Sequence, residues 1–114
     1  MTCLRLSTRQ LAAIFAGLSL AAIASAPRHA AATPSVKIEN FAFTPPALTV
    51  KVGDTVTFEN DDDIPHLVVA NDASFRSKAL DTGDSYACTF TKAGDYAYYC
   101  GLHPHMQGEI TVAP

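Results

Sequence analysis

Seven residues near the C-terminus, Cys100 to Met106, hold one cysteine, two histidines and one methionine in the phrase CGLHPHM. Cys100, His103 and Met106 fall at i, i+3 and i+6. A thiolate, an imidazole and a thioether form a soft donor set that suits copper, whereas calcium and magnesium take oxygen ligands. A second imidazole has to come from elsewhere in the chain. The phrase DDIPHLVV supplies it, with His66 just after Pro65 and 34 residues before Cys100. Two histidines, one thiolate and a weak axial methionine make the electron-transfer type of copper site. Cu(I) accepts soft sulfur and low coordination, and Cu(II) prefers nitrogen and a tetragonal arrangement. A site held between those preferences rearranges little when an electron arrives or leaves.

Such a site needs elements that bring residues 66 and 100–106 together. From Val36 onward the chain reads as short strands: VKIE, LTVKV, TVTFE, HLVVA, DSYACTF, DYAYYC and GEITV. They are rich in β-branched and aromatic residues and largely alternate apolar with polar. Gly53-Asp54, Gly83-Asp84 and Gly94-Asp95 mark turns between them. No part of this region carries a helical period. Seven such strands predict an all-β fold, a two-sheet antiparallel Greek-key sandwich. Cys100 then ends a strand, and Gly101 and Pro104 shape a tight turn that returns His103 and Met106 towards it. In SYACTFT, Tyr86, Cys88 and Phe90 share one face, and Cys88 reads as a small buried hydrophobe.

The N-terminal region has a different character. Arg5 and Arg9 precede the apolar run LAAIFAGLSLAAIA, which small residues follow. A charged head, a short apolar core and a small-residue exit describe a secretory signal peptide, and the run falls short of the roughly 20 apolar residues of a membrane span. Ala24 to Ala26 offers an A-x-A cleavage form but Pro27 follows it directly; Ala30 to Ala32 before Thr33 fits better. The expected organisation is residues 1–32 as signal peptide and linker, including His29, and residues 33–114 as one domain, monomeric and periplasmic.

All 11 acidic residues lie in that domain with five of the eight basic ones, a formal charge of −6. Nucleic acid is excluded as a partner on that charge. Cys3 leaves with the leader on this reading. Cys88 and Cys100 remain in an oxidising compartment, where a disulfide between them is the competing reading and would abolish the copper site. Asp61, Asp62 and Asp63 read as a solvated loop, with docking of a basic partner as the alternative. His105 reads as a solvated loop histidine beside a ligand set already complete. Of Tyr98 and Tyr99, which point to opposite faces, one is expected outside.

The stretches VGDTVTFENDDDIPHLVV and AGDYAYYCGLHPHMQGEITV together resemble the cupredoxins, the blue copper proteins of the plastocyanin and amicyanin group, over roughly Val36 to Val112. The short Cys-x-x-His-x-x-Met loop is similar to that of amicyanin rather than the longer loop of plastocyanin. The resemblance implies one copper per chain, with His66, Cys100 and His103 as equatorial ligands and Met106 as the axial one. It also implies a solvent-facing edge of His103 within an apolar patch as the electron port, and a redox partner such as a cytochrome or a periplasmic dehydrogenase. Two positions depart from the family pattern. Leu67 stands where such proteins often carry an asparagine that ties the two ligand loops, and His105 stands where an apolar residue is common.

The expected function is therefore a non-enzymatic electron carrier cycling Cu(I) and Cu(II). Copper buffering, delivery or resistance is the alternative; it usually calls for labile Met- or His-rich sites, and Met106 is the domain's one methionine. A copper oxidase needs several His-x-His pairs, and HPH is the one present.

Overall fold

The structure, a computed structural model, describes residues 1–6 and 33–114. The apolar run, both cleavage candidates and the linker with His29 lie outside those residues. The described residues form nine strands and no helix: β1 Thr2–Leu6, β2 Ser35–Glu39, β3 Ala42–Thr44, β4 Ala47–Lys51, β5 Thr55–Asn60, β6 Val68–Ala70, β7 Ser85–Thr89, β8 Gly94–Cys100 and β9 Gln107–Ala113. All seven strands expected from alternation are among them.

Two sheets result, ordered β1-β7-β5-β2-β3 and β4-β9-β8-β6. Pairing is mostly antiparallel, as expected, with one parallel pair in each sheet: β2 with β5 and β4 with β9. Alternation does the packing. In β5, Val56, Phe58 and Asn60 turn inward while Thr55, Thr57 and Glu59 are half-buried. The two inner faces meet in one core whose aromatic layer includes Phe43, Phe58, Phe75, Phe90, Tyr96 and Tyr98. Tyr98 stands edge-on to Phe43 at 4.8 Å and to Phe58 at 5.3 Å between ring centroids. Tyr99, on the opposite face, is half-exposed. Gly53 and Gly83 take positive φ of 95° and 86° in the turns that the sequence marked.

Cys88 corrects the sequence reading. Its side chain is buried, as expected, but it forms a disulfide with Cys3 rather than packing as a free thiol. β1 lies antiparallel on the edge of β7 with Cys3 directly opposite Cys88, their Cα atoms 4.1 Å apart. The alternative Cys88–Cys100 bond does not form, because the Cys88 sulfur is taken by Cys3. Cys100 is free and buried. Arg5 of β1 adds an ion pair with Asp84, Nη2 to Oδ2 at 2.6 Å.

Candidate metal centre

Each candidate ligand is placed by backbone pairing before any metal is considered. Cys100 closes β8 opposite Val68 of β6. Beyond it the chain turns tightly: the His103 amide donates to the Cys100 carbonyl (3.2 Å), and the Met106 amide to the His103 carbonyl (2.9 Å). The Cys100 amide then donates to the Met106 carbonyl at 3.0 Å, which closes the loop onto its own start. Met106 is buried, His103 half-buried and Leu102 exposed.

His66 is set from the other side of the fold. Its backbone exchanges both hydrogen bonds with Leu80, at 3.1 and 2.8 Å. The loop before it is organised by Asn60, which is fully buried. The Asn60 side-chain amide donates to the carbonyls of Ile64 (2.9 Å) and Leu80 (2.8 Å), and its oxygen accepts from the Asp62 amide (2.9 Å). Every polar atom of that side chain is thus engaged, as burial requires.

The loops converge on one sulfur. Nδ1 of His66 lies 3.5 Å from Cys100 Sγ, and Nδ1 of His103 lies 3.7 Å from it. The three donor atoms all lie within 4.8 Å of one another. Nitrogen and sulfur bonded to one ion at about 2.0 and 2.3 Å stand roughly 3.5–3.8 Å apart for angles between tetrahedral and trigonal. The side chains already have the spacing of a bound soft metal. Met106, at the end of this loop, is buried in the core.

Asp62 completes the arrangement, and the sequence reading missed it. Of the three consecutive aspartates, Asp61 and Asp63 are exposed as expected, but Asp62 turns inward. Its Oδ2 lies 2.9 Å from His66 Nε2 and accepts from the Phe41 amide at 3.2 Å. The hydrogen bond from His66, followed by that from Phe41, holds the Asp62 carboxyl below its ordinary range. A carboxylate at Nε2 keeps the ring proton there and leaves the Nδ1 lone pair facing the sulfur. The available signal was the four-residue spacing from Asp62 to His66, which all of the neighbouring acids obscure.

Leu67 does not leave the two ligand loops untied. Its carbonyl accepts from the Gly101 amide at 3.3 Å. Its side chain fills the space over Gly101, where a β-carbon would stand 3.2 Å from Leu67 Cβ and 3.2 Å from Val69 Cγ2. His105 is exposed, its ring 6.5 Å from that of His103.

Comparison with known proteins agrees with this geometry. The chain is 39% identical over 82 residues to amicyanin of Paracoccus denitrificans, a match covering 68% of this chain and 63% of that protein. It is 36% identical over 119 residues to the chloroplastic plastocyanin of Chlamydomonas reinhardtii, covering 90% and 82%. The structure superposes on an oxidised variant of amicyanin with a TM-score of 0.67 at 36% identity, covering 71% of this chain and 82% of that one. A family model described as a Cupredoxin-like domain matches residues 11–112, and on that span this chain belongs to the cupredoxin-like family.

Proposed function

We propose that residues 33–114 form a blue copper domain in which His66, Cys100 and His103 hold one copper ion through Nδ1, Sγ and Nδ1, with Met106 as the weak axial donor. The domain carries single electrons between redox partner proteins. The observation that supports this reading most is the approach of two Nδ1 atoms to one buried thiol sulfur, at 3.5 and 3.7 Å. Bound copper supplies a one-electron couple between Cu(I) and Cu(II). The chain's own residues supply the rest.

Cys100 is held by sheet pairing and buried from water, which protects the thiolate from oxidation. Asp62 fixes the His66 tautomer. The closed turn from Cys100 to Met106 sets the donor spacing through its own backbone bonds, and a site that rearranges little would pass electrons fast. The half-exposed ring of His103, between exposed Leu102 and Phe41, gives the electron a short route to the surface. Formation or cleavage of substrate bonds has no part in this activity.

The same reading includes export to the periplasm, removal of residues 1–32 as a leader, and a monomeric mature domain. Its partner is a cytochrome or a periplasmic dehydrogenase, met through the apolar surface around His103. The test is to load the purified protein with Cu(II) and record absorption and EPR spectra. An intense thiolate-to-copper band, lost in Cys100→Ala and weakened in His103→Ala, is expected. Uptake of Cu(II) without that band would refute the assignment.

A further inference from the structure

Between β2 and β3, Asn40 and Phe41 form a two-residue hairpin turn with φ of 52° and 57°. Two central residues at positive φ is the pattern of a type I′ turn, in which the second position favours glycine. A bulky side chain in the left-handed region is strained. Phe41 accepts this strain and gains little core burial in return, since the residue is 50% exposed. What the ring touches lies at the candidate metal centre. It stands edge-on to His66 at 5.9 Å and 82°, and edge-on to His103 at 5.2 Å and 88°. Its amide donates to the Asp62 oxygen that engages His66 Nε2.

Resting on the ligand reading above, we propose that Phe41 is a positioning residue that fixes the ring planes of both imidazoles, His66 and His103. The two rings need it unequally. His66 is fully buried and held at Nε2 by Asp62. His103 sits on a half-exposed turn, and among the described residues its Nε2 has no hydrogen-bond partner. The Phe41 edge is therefore a principal restraint on rotation of the His103 ring about its side-chain bonds. Phe41 belongs to neither ligand loop, so it also joins a third segment to the two that carry the donors. Leu67 lacks the polar group for a side-chain tie between those two loops, and Phe41 supplies a connection to both from outside them.

The test compares Phe41→Gly, Phe41→Leu and Phe41→Tyr with the parent protein. Phe41→Gly keeps the amide bonded to Asp62 and relieves the turn. Phe41→Leu keeps the apolar surface that a partner would meet but removes the ring. Phe41→Tyr keeps the ring. In the metal-free protein, the His66 Nε2 proton is followed by NMR for exchange with water. In the Cu(II) protein, EPR reports whether the ligands adopt one arrangement or several. The proposal expects at least tenfold faster proton exchange and a heterogeneous EPR spectrum in both Phe41→Gly and Phe41→Leu, with parent behaviour in Phe41→Tyr. Phe41→Gly should also unfold at higher denaturant concentration, which separates loss of positioning from loss of fold. Unchanged exchange and a single unchanged EPR species in Phe41→Leu would overturn the positioning role. A parent protein without a copper–thiolate band would overturn the ligand reading instead, and the metal-free exchange data would still decide whether Phe41 holds the His66 ring.

Discussion

Replacing Tyr98 with phenylalanine should stabilise the protein. Tyr98 is 1% exposed, and its hydroxyl is the one buried side-chain polar atom without a hydrogen-bond partner among the described residues. In the unfolded chain that hydroxyl bonds water; on folding it loses water and gains nothing. Mutational data put this uncompensated loss at about 1–3 kcal/mol. Removing the oxygen leaves a hole on the order of 10 Å³, which at about 24 cal/mol per Å³ costs roughly 0.2 kcal/mol. The ring's contacts with Phe43 and Phe58 are retained. The net expectation for Tyr98→Phe is about 1–3 kcal/mol of added stability, or roughly 4–8 °C in Tm for each kcal/mol in a domain of this size. Denaturant unfolding of the metal-free protein is the suitable assay, because bound metal would add its own linkage to the midpoint. The midpoint should rise with an unchanged slope. An ultraviolet titration gives an independent check, since burial pushes the Tyr98 hydroxyl well above the ordinary tyrosine range. Tyr98 should therefore stay un-ionised until the protein unfolds. Destabilisation of 1 kcal/mol or more in Tyr98→Phe would refute the reasoning, because it would mean that the hydroxyl has a hydrogen-bond partner worth keeping.

Three further outcomes follow from the same packing. A β-carbon on Gly108 would fall on the Tyr98 ring and hydroxyl, so Gly108→Ala should cost about 2–3 kcal/mol, with part recovered in the Tyr98→Phe background when both are unfolded in urea. Gly101→Ala would press on Leu67 Cβ and Val69 Cγ2 at 3.2 Å and on Leu67 Cδ2 at 3.3 Å and should cost about 1–2 kcal/mol; Leu67→Ala removes the last of these contacts, so a double-mutant cycle should show favourable coupling, and strict additivity would mean that the Leu67 side chain beyond Cβ does not fill that space. Alkylation followed by intact-mass measurement should find two reactive thiols in denatured, processed Thr33–Pro114, Cys88 and Cys100. The oxidised full-length chain should show one, because Cys3 and Cys88 are bonded there; three labelled cysteines in that form would show the bond absent.

Most of the architecture was legible because its cause is local. Seven strands announced themselves through alternation and β-branched residues, and the turns at Gly53 and Gly83 through glycine followed by aspartate. The approach of His103 to Cys100 was legible for a related reason: a tight turn at the end of a strand returns the histidine to the cysteine three residues before it. β1 and β3 were not legible. β3 is three residues long and follows a turn whose second residue, Phe41, carries none of the usual turn chemistry. β1 precedes the apolar run, so its residues looked like the head of a leader, and only the register of β1 on β7 brings Cys3 opposite Cys88.

The support around the ligands depends on non-local facts. Three aspartates in a row give no hint of which one turns inward. That choice is made by Asn60, whose side-chain oxygen captures the Asp62 amide while its nitrogen spans the carbonyls of Ile64 and Leu80. Leu80 is also the backbone partner of His66. One buried asparagine therefore sets the orientation of the carboxylate and the height of the histidine together. Phe41 joins the same unit from a different hairpin. The candidate donors can be named from a short motif, but what surrounds them here is a carboxylate and an asparagine from one segment and an aromatic ring from a second, distant one, brought together only once the sandwich has closed.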